Sequence, residues 1–213
     1  IRSKKVDLIS PAHNIPKSSK WPFIKAGLVL PINLKNIPNY QSLIPSLQYA
    51  DYITEGNKVY GVPIVYGQYG LAYNSQLFDK PPSSWDILWN SRYKNKYTIS
   101  SDYDEANIYI TALTLGFNKQ QIFDFEILKA SKKITYKLKK LASNAKSFWV
   151  GVDKADDLQG MALATAWGFS FPELKRRGEI WKFAQPKEGI TGWIDSWLIG
   201  YSLQNQPKMK RIA

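Results

Sequence analysis

Residues 192–200, GWIDSWLIG, place an acid between two tryptophans near the end of the chain. Side chains of a strand alternate between two faces, so Trp193, Asp195 and Trp197 are expected to share one face. A buried carboxylate is costly unless a cation or hydrogen-bond donors pair with it. The pattern predicts either an acid that is hydrogen-bonded in a turn or an acid that binds a cationic group.

A second group of acids follows a predicted strand. In KYTISSDYDEA the strand KYTIS runs directly into Asp102, and Glu105 stands three residues later. This spacing is typical of a helix N-terminus, with Ser101 or Asp102 as the cap. The same place, past the carboxyl end of a strand, is where open α/β sheets bind ligands, and Trp167 follows the strand MALATAW in the same way. A capping role and a ligand site both stay open here.

The candidate binding residues combine acids with aromatic rings. Carboxylates hold ammonium groups through charge-assisted hydrogen bonds, and aromatic faces attract the same cations and pack on methylene groups. The combination suits a ligand whose amines are joined by an alkyl chain. The residues concerned are Asp102, Glu105, Asp195, Tyr66, Trp167 and Trp193.

Composition excludes several kinds of site. The chain of 213 residues has no cysteine, which removes disulfides, thiolate metal sites and cysteine nucleophiles. Its single histidine, His13, would have to serve any Ser-His-Asp hydrolase, so an enzyme is not expected and no cofactor or metal is predicted. His13 lies in a predicted loop after the strand at 6–9, where a plain loop residue and a ligand contact are both open.

The net charge of +12 suggests anionic partners. Six lysines fall within residues 129–140, KASKKITYKLKK, and Ile127, Ala130, Ile134, Leu138 and Leu141 follow helical spacing beside them. We therefore predict one amphipathic helix with a solvated lysine face, and no nucleic-acid contact. The sequence has no run of about 18 apolar residues, so no membrane-spanning helix is predicted. No signal peptide is visible, and we expect the chain to be a fragment that is truncated at both ends.

Short strands alternate with helices, which predicts an α/β chain with parallel sheets. Predicted helices cover 19–26, 103–116 and a pair within 119–142, and glycines end the first two at Gly27 and Gly116. SSWDILWN is a predicted short helix capped by Ser83 or Ser84, and its tryptophans are predicted core residues. Trp149 is predicted to lie in the core or on the surface rather than at a ligand.

Four motifs resemble the periplasmic polyamine-binding proteins of the spermidine/putrescine type, the solute receptors of ABC importers. They are VPIVYGQYGLAYN, PPSSWDILWNSRYKNKYTISSDYDEA, GMALATAWGFS and QPKEGITGWIDSWLI, in the order of that family over roughly residues 5–200. The resemblance implies a type II periplasmic-binding fold, in which two α/β lobes close on a ligand cleft. Residues 1–64 with 190–213 would form lobe 1, incomplete here, and 65–189 lobe 2, with crossovers at 63–70 and 184–191.

The resemblance also implies a function. A polyamine such as spermidine or putrescine would be held by the carboxylates of Asp102, Glu105 and Asp195, with Trp167 and Trp193 stacking on it and Tyr66 beside the pocket. Trp197 is expected in the core. The implied protein is a monomer that docks on a membrane permease and is periplasmic or anchored as a lipoprotein.

One segment departs from the family pattern. The family has a Ser-x-Tyr pair after the strand that corresponds to residues 6–9. This chain has Ala12, His13 and Asn14 there, so His13 and Asn14 are the expected ligand contacts. Alternatives are therefore the same fold with another amine, an amino-acid-like compound or an anion, or an effector-binding regulatory domain.

Overall fold

The computed structural model describes residues 6–118 and 120–206. The strands among them are β1 (Leu8–Ile9), β2 (Val29–Leu30), β3 (Thr54–Glu55), β4 (Lys58–Val59), β5 (Gly61–Asn74), β6 (Tyr97–Ser100), β7 (Ser147–Trp149), β8 (Leu163–Ala166), β9 (Trp181–Phe183) and β10 (Thr191–Gly200). None of the helices in these ranges is long and apolar enough to cross a membrane.

The helices in the same ranges are short. The α-helices are α1 (Asp104–Leu113), α2 (Phe125–Ala130), α3 (Lys132–Asn144), α4 (Ala155–Leu158) and α5 (Phe171–Arg176). Single 3₁₀ turns occupy Leu34–Asn36, Pro38–Ser42, Pro45–Leu47, Asp51–Ile53, Ser75–Leu77, Trp85–Trp89, Ser91–Tyr93, Gln121–Phe123 and Tyr201–Leu203. The chain divides into two compact units, a first unit of residues 1–67 and 192–213 and a second unit of residues 68–191.

The second unit is built on a mixed sheet. Strand β6 pairs in parallel with β7 and β8, as the alternation of strands and helices predicts, whereas β5 pairs antiparallel with β8 and β9. Trp85 and Trp149 are buried in this unit, and Trp89 packs half-buried against its core. The prediction of a core residue is confirmed for Trp85, whereas Trp89 lies at the edge of the core.

The first unit packs around β10, which pairs antiparallel with β1 and β2. Leu198 is buried in its core with Ile53, and Ser196 is buried on the same face of the strand. Trp197 lies on the opposite face and is 41% exposed. The prediction that it packs in the core is wrong, because strand alternation puts it on the more exposed face with Asp195.

The predicted helix at 19–26 is a single turn. The Ala26 amide donates to the Pro22 carbonyl at 2.8 Å, and the Leu28 amide donates to the Phe23 carbonyl at 3.0 Å. Gly27 ends the turn with φ of +62°, as predicted. The helix cannot begin earlier because a proline disfavours the helical conformation of the residue before it.

The pair of helices predicted within 119–142 is present as α2 and α3, but the lysine-rich helix predicted across residues 127–141 is interrupted between them. Ser131 lies between α2 and α3, and its hydroxyl accepts a hydrogen bond from the Ile134 amide at 3.4 Å, which caps α3. Ile134 and Leu141 are buried as predicted, but Ile127 and Ala130 are exposed. Those two placements are wrong because the break at Ser131 changes the register, so that Leu128 faces the core instead.

Candidate functional site

The Asp195 segment of β10 lies beside the loop that carries His13. Ala12 is paired with Asp195 in an isolated antiparallel bridge, and the His13 amide donates to the Ile194 carbonyl at 2.8 Å. These backbone bonds bring the single histidine next to the acid. The sequence analysis named both residues without predicting that they are neighbours.

Asp195 is a half-buried acid. Burial raises the pKa of its carboxyl group, and the charge of His13 acts in the opposite direction. Within the described ranges, none of the hydrogen bonds or salt bridges reaches this carboxylate. The group has lost part of its hydration without gaining a lysine or arginine partner, so it can bind an external cation.

Tyr52 supports the same corner of the first unit. Its ring meets the His13 ring edge-on at a centroid distance of 6.0 Å, and its hydroxyl lies 3.0 Å from the Ser196 hydroxyl. Burial raises the pKa of Tyr52, and the nearby Asp195 charge adds to the increase. The sequence analysis missed this residue, since a tyrosine next to an aspartate in ADYIT has no distinguishing spacing.

Trp193 shares the exposed side of β10 with Asp195 and is half-buried. Its indole covers Gly67, where an added Cβ would lie 2.8 Å from the indole nitrogen Nε1. Tyr66 and Asn14 are both exposed. The first unit therefore holds a half-buried acid and a half-buried indole on one strand face, together with His13.

Asp102 follows β6 in the second unit, as expected, but it does not cap the next helix. Its carboxylate accepts hydrogen bonds from the Ser100 hydroxyl and from the Gly151 amide, both at 2.8 Å. Helix α1 has Tyr103 as its N-cap residue, without a side-chain cap. The capping prediction is wrong for both Ser101 and Asp102, because Asp102 stands one residue too early and turns to Gly151.

The hydrogen bonds keep Asp102 charged. The Ser100 hydroxyl and then the Gly151 amide lower the pKa of this carboxyl group, because both stabilise its ionised form. The side chain is nonetheless exposed, and an ionised carboxylate has lone pairs for further donors. It can therefore accept an ammonium group without losing its present partners.

Glu105 has different surroundings from Asp102. It lies exposed in the first turn of α1, where its charge adds to the burial that raises the pKa of Tyr103 and of Tyr109. With Asp104 it lines a cavity of about 770 Å³ among α1, α2 and α3. Asp102 is not among the residues that line this cavity, so the structure does not group the two acids as one pair.

Trp167 is held by a buried acid that sequence reasoning missed. Asp153 is 2% exposed, and one of its oxygens accepts hydrogen bonds from the amides of Trp167 at 2.8 Å and Gly168 at 3.2 Å. Its other oxygen accepts from the amide and the hydroxyl of Ser170. Asp153 thereby fixes the loop after β8. In the sequence GVDKADD no local feature distinguishes Asp153 from the neighbouring acids.

Two tyrosine rings position the Trp167 indole. It lies 4.6 Å from the Tyr69 ring and 5.0 Å from the Tyr103 ring. The Tyr69 hydroxyl donates to the hydroxyl of Thr165 at 2.6 Å, and burial raises the Tyr69 pKa. Trp167 remains half-buried, so the second unit offers an indole near the ends of β6 and β8. The sequence analysis missed Tyr69 and Tyr103, whose roles depend on these contacts.

The comparison with protein families decides the classification. The sequence model of the bacterial extracellular solute-binding proteins matches residues 3–213. The chain belongs to this family. Among curated proteins, the spermidine/putrescine-binding periplasmic protein of Salmonella typhimurium (strain LT2) is 28% identical over 184 residues, which are 85% of this chain and 51% of that protein. The chain thus spans about half the length of the curated relatives that it matches.

Solved structures show the same fold. A spermidine/putrescine ABC transporter substrate-binding protein from Streptococcus pneumoniae matches with a TM-score of 0.77 at 20% identity, over 99% of this chain and 63% of that chain. A putative spermidine/putrescine ABC transporter from Listeria monocytogenes matches with a TM-score of 0.73 at 19% identity, over 98% and 62%. The predicted fold class, α/β of the type II periplasmic-binding kind, is confirmed.

Proposed function

We propose that this solute-binding chain belongs to the receptor of an ABC importer and binds a polyamine such as spermidine or putrescine. Family membership supports a transport role rather than catalysis. The curated relatives are named for spermidine and putrescine binding, and this chain carries acids and indoles suited to the same ligands.

The observation that carries the proposal is the state of Asp195. Its carboxylate is half-buried, and no hydrogen bond or salt bridge of the described residues satisfies it. An ammonium group would supply the missing charge and donors. Trp193, on the same face of β10, offers an aromatic surface to the adjoining methylene groups. His13 and Asn14 lie in the neighbouring loop and are proposed as additional contacts.

The second unit adds a similar set of groups. Asp102 is exposed and ionised, and Trp167 is held in place by Asp153 and by two tyrosine rings. In our proposal Asp102 binds an ammonium group and Trp167 stacks on the alkyl chain. We also propose that Glu105 of the second unit and Tyr66 of the first unit contribute charge and aromatic surface. The Glu105 side chain also lines the cavity among α1, α2 and α3.

The identity of the charged groups favours an amine over an anion. Three of the proposed ligand residues are acids, and His13 is the one basic residue among them. Because related folds can bind unlike ligands, these side chains carry more weight than the fold. We further propose a membrane permease as partner, a monomeric state and a periplasmic or lipoprotein-anchored location, since the relatives include a periplasmic protein and a lipoprotein.

The proposal is tested by isothermal titration of the chain with putrescine, spermidine and spermine. An Asp195→Ala variant is compared with wild type and with Asp79→Ala, which removes an exposed acid outside the proposed site. Removing one partner of a desolvated charge pair costs about 2 kcal/mol or more, so we expect at least a roughly thirtyfold loss of affinity in Asp195→Ala. Asp79→Ala should bind like wild type.

Two outcomes would contradict the proposal. Equal affinities in wild type and Asp195→Ala would exclude Asp195 as a ligand residue. Heat from γ-aminobutyrate or a sugar phosphate, with none from the three polyamines, would support the alternative that this fold binds another ligand here.

A further inference from the structure

Two segments of the second unit have no acidic residue. Residues 87–101 contain Arg92, Lys94 and Lys96 but neither aspartate nor glutamate, and residues 127–152 contain seven lysines and again no acid. Ten of the 29 basic residues of the chain fall in these two stretches. The excess positive charge of this protein is therefore concentrated rather than spread evenly.

The fold brings the two stretches together. The Asn95 amide donates to the Asn144 carbonyl at the end of α3, and the Lys146 amide donates to the Tyr97 carbonyl, both at 2.8 Å. The Trp89 indole also donates to the Lys137 carbonyl at 2.8 Å, which joins Trp85–Trp89 to α3. The two acid-free stretches thus form one continuous basic region of the second unit.

Helix α3 presents four of these ten basic residues to solvent on one face. Ile134 and Leu141 are buried on one side of the helix, whereas Lys132, Lys133, Lys139 and Lys140 are exposed on the other; we call these four residues with Tyr136 the lysine face. Among the described residues, Lys137 is the one member of the basic region in a salt bridge, with Asp86. The charges of the lysine face are unneutralised.

Aromatic side chains accompany the lysines. Tyr136 is 65% exposed, and its ring lies 5.5 Å from the Lys140 ammonium group. On one side of α3 the cavity of about 770 Å³ is bordered by the exposed rings of Phe123 and Phe125 and by the acids Asp104 and Glu105. On the other side of α3, Trp89 lines a smaller cavity of about 330 Å³. Exposed rings beside a lysine-rich helix face are typical of surfaces that associate with membranes.

We propose that the lysine face of α3 docks on an anionic phospholipid surface. The four lysines would approach the lipid phosphates, while Tyr136 on the same face would reach the headgroup region. The inference is independent of the proposed amine site, because none of its residues belongs to that site. A membrane is favoured over nucleic acid because the chain belongs to a family of extracellular solute-binding proteins.

The experiment is co-sedimentation with vesicles of phosphatidylglycerol and phosphatidylcholine, compared with vesicles of phosphatidylcholine alone. Each lysine near an anionic surface contributes a factor of about five to the partition coefficient. A variant with Lys132, Lys133 and Lys140 changed to Glu should therefore bind at least about a hundredfold more weakly. Raising the salt from about 0.05 to 0.5 M should release the wild type, because screening shortens the range of its charges.

A matched control keeps the result specific. A variant with Lys25, Lys35 and Lys182 changed to Glu has the same net charge, and its substitutions are exposed and lie outside the basic region. It should retain most of the binding. Lysine and glutamate have similar helix propensities, so the α3 variant should fold. Circular dichroism and the midpoint of urea unfolding test whether it does.

Three results would overturn the inference. Wild type could fail to bind the anionic vesicles, or the control variant could lose as much affinity as the α3 variant, which would reduce the effect to net charge. A duplex oligonucleotide could also bind the lysine face at a salt concentration at which the vesicles do not. That result would assign the face to nucleic acid instead.

Discussion

The buried Asp153 provides the sharpest test of how the second unit holds its candidate site. In an Asp153→Ala variant the backbone amides of Trp167, Gly168 and Ser170 lose their acceptor, and so does the Ser170 hydroxyl. Each buried donor left unsatisfied costs about 1–3 kcal/mol, and water entering the vacated space restores part of this. We expect the free energy of unfolding to fall by about 3–5 kcal/mol.

Urea denaturation followed by tryptophan fluorescence measures this change, since several tryptophans of the second unit are buried. Asp79→Ala is the control, because it removes an exposed acid of the same unit and should leave the urea midpoint nearly unchanged. Asp153→Asn should fall between the two, since an amide retains one of the two acceptor oxygens. A loss below about 1 kcal/mol in Asp153→Ala would refute the reasoning.

Three further predictions concern the two units separately. Burial raises the pKa of Asp195, so the ionised carboxylate destabilises the fold. An Asp195→Asn variant should therefore unfold at a higher urea concentration than wild type at neutral pH. This difference should disappear as the pH falls below the pKa values of Asp195 in the folded and unfolded states. A Gly67→Ala variant would place a methyl group against the Trp193 indole and displace it, which should change the fluorescence and weaken polyamine binding. Thr165→Val leaves the Tyr69 hydroxyl and a backbone amide without their partner, and should lower the free energy of unfolding in urea by about 2–4 kcal/mol, whereas Thr165→Ser should retain most of it.

Local pattern was sufficient for much of the architecture. The α1 helix with Gly116 beyond its end, the Ser84-capped turn at Trp85–Trp89 and the strand before Asp102 all follow from propensity, capping residues and glycine. These elements depend on neighbours within a few residues of one another. The break at Ser131 shows the limit of the approach, because helical spacing continues across it while the serine caps a new helix.

Only part of the candidate site can be predicted from the sequence. The motifs identified the family, and the period of a strand placed Trp193 and Asp195 on one face of β10. The same period should have excluded Trp197 from the core, because it shares that face. Glu105 was chosen with Asp102 for its spacing, yet the orientation of α1 directs it to another cavity.

By itself the sequence determined the family, the class of fold and the chemical character of the candidate ligand residues, because these depend on residue types and short spacings. Tertiary structure alone decided that His13 stands beside Asp195, that Asp102 bonds to Gly151 and that Asp153 holds the Trp167 loop. Each of those contacts joins residues that are distant in the chain or indistinguishable from their neighbours. Burial and hydrogen bonding, and hence the pKa of each acid, exist only once such segments have packed together.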